Sequence, residues 1–290
     1  SSLNHACFGQ DSLVVMFWNV ENFFDYVDGG TGESDREFSS YGVRHWTKRK
    51  FQTKCDDIAK SMLCIADEYG RMPDVVGLAE VENRLVLWRL RKYDYRIVHF
   101  DSDDRRGIDV ALLYRESVFS KVSHSLTVPV ADGVRMSTRD MLQVCLVDEI
   151  GQKINLIVCH HPSKYGGTEE SSSRRNAAMV ALRGLCDSLE ISDPGVPIVA
   201  MGDFNDTPDG VQFRLLDGVL VNKADDLFEE GSGTIRYQGV WELIDMFMVS
   251  ESLVESSEMK IVQVPFLMTY DKKYPGVKPL RTYSGPRYVG

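Results

Sequence analysis

Residues 197–208 read Pro-Ile-Val-Ala-Met-Gly-Asp-Phe-Asn-Asp-Thr-Pro and hold a dense set of groups able to do chemistry. The apolar run 198–201 predicts a strand buried on both faces. Gly202 is expected to let the backbone turn. Asp203 and Asn205 then leave the strand's carboxyl end pointing the same way. A carboxylate and an amide side by side at a strand mouth can orient a water, or hold a phosphate or a metal. They can equally make an Asx turn, because residues 207–210, Thr-Pro-Asp-Gly, continue with turn chemistry.

Polar groups punctuate other apolar runs in the same way. Residues 12–20 predict a strand with Asn19 near its end, where an amide either satisfies a backbone group or joins a site. Residues 74–80 predict a core strand closed by Glu80, and a carboxylate there is costly unless a cation or several donors meet it. Residues 143–147 and 154–159 predict an antiparallel pair, with His160-His161-Pro162-Ser163 at the mouth of the second strand. Adjacent histidines point to opposite sides, so they do not readily share one zinc, and one functional histidine or none is expected. Residues 243–250 predict a strand carrying one buried acid, Asp245. Arg105-Arg106-Gly107 leads into a strand over residues 108–115.

If these strand ends meet at one rim, the set suits a metal and a phosphate. Glu80 and Asn19 supply the oxygen donors that a hard cation such as Mg²⁺ takes. His160 and Asn205 can meet phosphate oxygens, and Asp203 can align or deprotonate the attacking water.

The elements that must position these groups are partly readable. Thr47 can cap a helix over residues 47–69 whose stripe of Phe51, Cys55, Ile58, Ala59, Met62 and Ile65 or Ala66 is buried, with Gly70 just past its end. Helices are also expected over 84–92 and 173–189, a short helix or turn over 212–216, a strand over 95–100 and a far-edge strand over 259–264. Residues 25–40 are expected to be a mobile loop, 219–234 a polar loop, and 272–290 show no clear periodicity. Arg174 and Arg175 fall in the first turn of the 173–189 helix, where the macrodipole disfavours cations, so either an anion or solvent faces them. The dense basic cluster Arg44, Lys48, Arg49 and Lys50 lies beside Trp46, an aromatic that can stack on a base if exposed.

Composition bounds the reading. The 290 residues are 43% hydrophobic and 26% charged, an ordinary globular balance. No apolar run approaches the ~20 residues of a membrane span. A net charge of −10 argues against a general nucleic-acid binder, so a polyanionic substrate must be met by a local basic patch or a metal. The six cysteines make neither a CxxC pair nor a disulfide framework. With no repeat or composition break, one domain over residues 1–290 and a monomer are expected. Residues 1–11 are expected to be a flexible remnant; export to a periplasmic or secreted location follows if they derive from a signal peptide.

Six motifs then carry a family resemblance: Phe17-Trp18-Asn19-Val20-Glu21-Asn22, residues 77–83 around Glu80, Arg106-Gly107-Ile108-Asp109-Val110-Ala111-Leu112, Cys159-His160-His161-Pro162-Ser163, Gly202-Asp203-Phe204-Asn205-Asp206, and residues 244–250 around Asp245. In that order they resemble the endonuclease/exonuclease/phosphatase superfamily of deoxyribonuclease-like phosphoesterases. The resemblance implies a four-layer α/β/β/α sandwich, two mainly antiparallel sheets face to face with helices outside. It implies Mg²⁺- or Mn²⁺-dependent phosphoester hydrolysis, with Glu80 and Asn19 toward the metal and Asp203, Asn205, His160 and Asp245 catalytic. Arg106, Arg174 and Arg175 are candidates for substrate. A nuclease-like phosphodiesterase is the first expectation, and a phosphatase on a small phosphorylated molecule the second. The family also closes with a Ser-Asp-His segment whose histidine the Asp245 position orients. The histidines here are His5, His45, His99, His124, His160 and His161, none of them in such a segment. The expectation is therefore that a C-terminal catalytic segment lies beyond residue 290 and that the 290-residue chain is inactive or nearly so. The alternative is a catalytically impaired binding module on the same fold.

Overall fold

The computed structural model describes residues 12–27, 34–163 and 168–289. Alternation along the apolar runs decides the layering. In β2 (Val75–Val81), Val75 and Ala79 join one apolar cluster while Val76 and Leu78 join another. A strand that is apolar on both faces must be covered on both. β1 (Val15–Phe23), β2, β3 (Tyr95–His99) and β4 (Asp109–Arg115) form the first sheet in the order β1-β2-β4-β3, parallel only between β1 and β2. The chain continues through β5 (Phe119–Thr127), a small hairpin of β6 (Val130–Ala131) and β7 (Val134–Arg135), then β8 (Met141–Asp148), β9 (Lys153–His160), β10 (Ile198–Asp203) and β11 (Val221–Asn222). A second hairpin, β12 (Ile235–Tyr237) with β13 (Val240–Glu242), precedes β14 (Asp245–Val249). The second sheet runs β11-β14-β10-β9-β8-β5, parallel only between β9 and β10.

The sheets pack face to face through Val75 and Leu112 of the first and Val144, Leu156 and Met201 of the second. Gly77 permits the close approach, since a Cβ there would lie 2.8 Å from the sulfur of Met201. Helix α1 (Ser34–Glu37) is a single turn; α2 (Lys48–Tyr69) covers the outer face of the first sheet with Cys55, Ile58 and Met62. α3 (Thr168–Ser192) covers the second with Met179, Leu182 and Cys186, and α4 (Asp225–Glu229) is short. The expected α/β/β/α sandwich is thus the observed one. Thr47 accepts from the Lys50 N–H and Gly70 ends α2 in the left-handed conformation, as its sequence predicts.

Other expectations need correction. Residues 34–40 are not a mobile loop: Phe38, Ser34 and Ser39 are buried, and Phe38 stacks on Phe24, while 28–33 lie outside the described residues. Trp46 is wholly buried and donates to the Phe24 carbonyl, so it is no base-stacking platform. Arg44 of the basic cluster pairs with Glu37. The 84–92 helix is a 3₁₀ segment, Trp88–Tyr93. Residues 259–264 form no strand, and the C-terminal stretch holds two hairpins, β15 (Met268–Asp271) with β16 (Gly276–Pro279) and β17 (Tyr283–Ser284) with β18 (Arg287–Tyr288). The reading of residues 1–11 lies outside the described residues. Among the described residues, no helix is long and apolar enough to cross a membrane, and Cys55, Cys64, Cys145, Cys159 and Cys186 are free thiols.

Candidate active site

Strand register assembles the site. Asp203, the last residue of β10, pairs with His160 of β9 on one side and with Asp245 of β14 on the other. Paired residues on neighbouring strands share a face, so an imidazole and two carboxylates stand in one row. Gly202 lies within β10 rather than at a turn. Its role is contact: a Cβ there would fall 2.3 Å from the Cys159 carbonyl oxygen. The turn comes later, at Asn205, whose φ of +52° is one that asparagine tolerates better than most residues.

The first sheet supplies the facing groups. A bulge interrupts β2 between Ala79 and Val81, and Glu80 there has a φ of +63°. Bulges of this kind re-aim a side chain, and a non-glycine residue with such a φ is strained by about 1–2 kcal/mol. The re-aimed Glu80 carboxylate accepts from the Asn22 N–H at 2.8 Å, and Arg106 Nη2 stands 3.7 Å away. Asn19 bridges the sheets: Nδ2 donates to Asp203 Oδ2 at 3.0 Å and lies 3.4 Å from Glu80 Oε1. Its Oδ1 accepts from the Glu21 N–H. In this placement Asn19 offers carboxylates an N–H, and it would have to rotate to offer a cation its oxygen.

The Asp203 carboxylate accepts from the Asn205 N–H at 2.9 Å and lies 3.8 Å from His160 Nε2. Asn205 Nδ2 donates to the His161 carbonyl, so the residues expected to act as a pair also make an Asx turn. The two imidazoles diverge as expected: His161 packs edge-on against Phe204, centroids 4.8 Å apart. Burial, with Arg139 and Arg106 nearby, holds His160 well below the usual imidazole range, so it is neutral at pH 7 and can donate one N–H. Burial pushes Asp203 up to about 6, opposed by the Asn19 and Asn205 hydrogen bonds. Burial and then Asp203 push Asp245 well up. Asp245 Oδ1 has no hydrogen-bond partner among the described residues.

These groups open on one cleft of about 1570 Å³ that Asn19, Glu80, Arg106, His160, Asp203, Asn205 and Asp245 line. Along it runs β1, the edge strand of its sheet. Arg174 and Arg175 are not in the cleft wall. α3 begins at Thr168, so neither sits in a first turn, and Arg175 Nε instead pairs with Asp206 at 3.2 Å. Two buried cations of the cleft wall, among the described residues, escaped the sequence reading. Arg139 is buried in the cleft wall, 3.4 Å from Asp104. It lies two residues before β8, where the sequence reading singled out no polar group. Lys54 is also buried there, donates to Thr282 Oγ1 at 2.7 Å, and is pushed down to about 8 by burial against the pull of Glu21 and Glu80. Its position beside Cys55 and Ile58, on the edge of the apolar stripe, was the available signal.

The sequence model of the endonuclease/exonuclease/phosphatase family matches residues 14–290. The chain belongs to that family. Its fold is similar to the human Nocturnin catalytic domain, at 17% identity over 82% of this chain and 83% of that one, with a TM-score of 0.59. It is similar to truncated Caenorhabditis elegans TDP2, at 19% identity over 70% and 78%, TM-score 0.52. It is also similar to a Bacteroides thetaiotaomicron mannosyl-6-phosphatase, at 15% identity over 83% and 86%, TM-score 0.54. No curated protein matches the sequence. The family is mostly one of metal-dependent phosphoesterases.

Proposed function

We propose that this chain binds Mg²⁺ or Mn²⁺ and hydrolyses a phosphoester by in-line attack of water, with the roles divided as follows. The donor set fits the ion: Glu80, Asp203 and Asp245 crowd a desolvated cleft where like charges repel, and oxygen donors suit a hard cation. Glu80, with Asn19 after rotation of its amide, would hold it. When bound, the cation withdraws charge from the phosphate oxygens and aids ionisation of the attacking water. Asp203 orients that water and takes its proton, held in place by the Asn19 and Asn205 bonds. Neutral His160 and the Asn205 amide donate toward phosphate oxygens, and Arg106 and Arg139 add positive charge to the same wall. One observation carries the reading: Asn19 from the first sheet donates to Asp203 of the second at 3.0 Å, so both halves of the set meet at one point.

Among the described residues, the unpartnered Asp245 oxygen and the edge strand β1 border the same cleft. Both support the proposal that full activity needs an imidazole on a segment lying there, as the Ser-Asp-His resemblance implies. Which ester is cleaved divides into two readings. A nuclease-like phosphodiesterase fits the neighbours, one of which is a Danio rerio TDP2 complexed with a single-strand DNA product. The second is a phosphatase for a small phosphorylated molecule: burial of Trp46 removes one candidate base-stacking ring, while the exposed Tyr237 still lines the cleft.

The test compares bis(p-nitrophenyl) phosphate and p-nitrophenyl phosphate hydrolysis, with Mn²⁺, by a chain carrying a Ser-Asp-His segment after residue 290 and by its Asp203→Asn variant. The proposal expects hydrolysis of at least one ester and a loss of roughly 10²–10⁴-fold in the variant. Undiminished hydrolysis by the variant would overturn it, as would no hydrolysis of either ester.

A further inference from the structure

Outside the cleft set, the ends of β3 and β4 bring together His99, Asp101 and Asp109, with one donor atom from each within 4.8 Å of the others. The His99 side chain is 3% exposed and that of Asp109 6%. His99 hydrogen-bonds the Val81 backbone, and its Nε2 has no partner among the described residues, so Nδ1 makes that bond. The bond fixes the tautomer and leaves the Nε2 lone pair facing Asp109 Oδ2 at 3.7 Å. That distance is too long for a shared proton. Asp109 Oδ1 is already engaged by the Ser102 N–H and hydroxyl, so Oδ2 is the oxygen turned to the imidazole. A buried imidazole nitrogen left without a donor beside a carboxyl oxygen is costly, and burial pushes that Asp109 carboxyl up to about 7. Asp101, exposed, adds a third donor atom from the solvent side.

A histidine held through Nδ1 by a backbone carbonyl, presenting Nε2 beside carboxylates, has the outer-shell orientation that metal ligands carry. One imidazole with two carboxylates suits a borderline cation better than Ca²⁺. We propose that His99, Asp101 and Asp109 form a second divalent-metal site, structural in role and taking Zn²⁺ or Mn²⁺, that fastens residues 101–108 to the ends of β3 and β4. That segment carries Asp104, which pairs with Arg139, and Arg106, which reaches Asn22 at 3.0 Å and Glu80. The donor set shares no residue with the Glu80 site and does not rest on the hydrolase reading.

Calorimetric titration of Zn²⁺ into the Glu80→Gln chain, which weakens the first site, tests this directly. The expected result is one equivalent bound, lost in Glu80→Gln/His99→Asn. Asp101→Asn, at an exposed position that folding tolerates, weakens binding about tenfold. Histidine-nitrogen coupling to bound Mn²⁺ in pulsed electron paramagnetic resonance should vanish in the His99→Asn pair. No binding by Glu80→Gln, or affinity unchanged in both the His99 and the Asp101 variants, would overturn the site.

Discussion

Replacing Asp203 by asparagine should stabilise the metal-free protein at pH 8. Burial lifts the Asp203 carboxyl from 3.8 to about 6. At about 1.4 kcal/mol per unit, that displacement opposes folding by roughly 3 kcal/mol once the group is ionised in both states. The sign follows from the raised folded value. Below about pH 4 the acid is protonated folded and unfolded and contributes nothing. Between the unfolded value and about 6 the native state holds the extra proton, so stability falls as pH rises. An asparagine removes the charge but keeps an acceptor for the Asn205 N–H, and it loses the bond from Asn19 Nδ2, worth about 1 kcal/mol. The net gain at pH 8 is about 2 kcal/mol, a rise in Tm of roughly 4 °C for a chain of this size. Differential scanning calorimetry with chelator, at pH 8 and at pH 4.5, reads both parts. The gain should be present at the higher pH and shrink or reverse at the lower. A variant less stable than wild type at pH 8 would refute the claim that Asp203 is ionised there at a cost.

Other outcomes follow from the same geometry. Saturating Mn²⁺ should raise the Tm of wild type by several degrees, the ~2.7 kcal/mol expected at a hundredfold excess over Kd, and Glu80→Gln should lose most of that shift; an equal shift in both would contradict Glu80 as ligand. Gly202→Ala, whose Cβ would meet the Cys159 carbonyl at 2.3 Å, should lose about 3 kcal/mol by urea unfolding. Appending a Ser-Asp-His segment after residue 290 should raise ester hydrolysis well above that of the 290-residue chain; equal, robust rates would contradict the role given to Asp245. In that active form Arg106→Gln should raise KM roughly five- to tenfold with less effect on kcat.

The candidate site was legible where polar groups interrupt apolar runs. Glu80, His160, Asp203 and Asp245 stand out because a charge or imidazole at a buried strand end has no local reason to be there. Register was not legible, although it puts His160, Asp203 and Asp245 in one row, because pairing across strands leaves no mark in a single strand. β5 escapes notice because its run from Ser120 to Leu126 is solvent-exposed and lacks an apolar pattern. Residues 259–264 mislead for the opposite reason: Met259 and Ile261 pack on the α3-side core without pairing, so their apolar character comes from docking. Trp46 and Arg175 look exposed from their charged neighbours, whereas burial depends on segments distant in sequence, Phe24 and Asp206.

The central claim is that side chains from both sheets converge on one divalent cation. Anomalous scattering from a crystal soaked in Mn²⁺ tests it most directly. The account predicts a manganese peak within ligand distance of the Glu80 carboxylate, on the side of the cleft shared with Asp203 and Asp245. Manganese elsewhere in the crystal, with none beside Glu80, would contradict it.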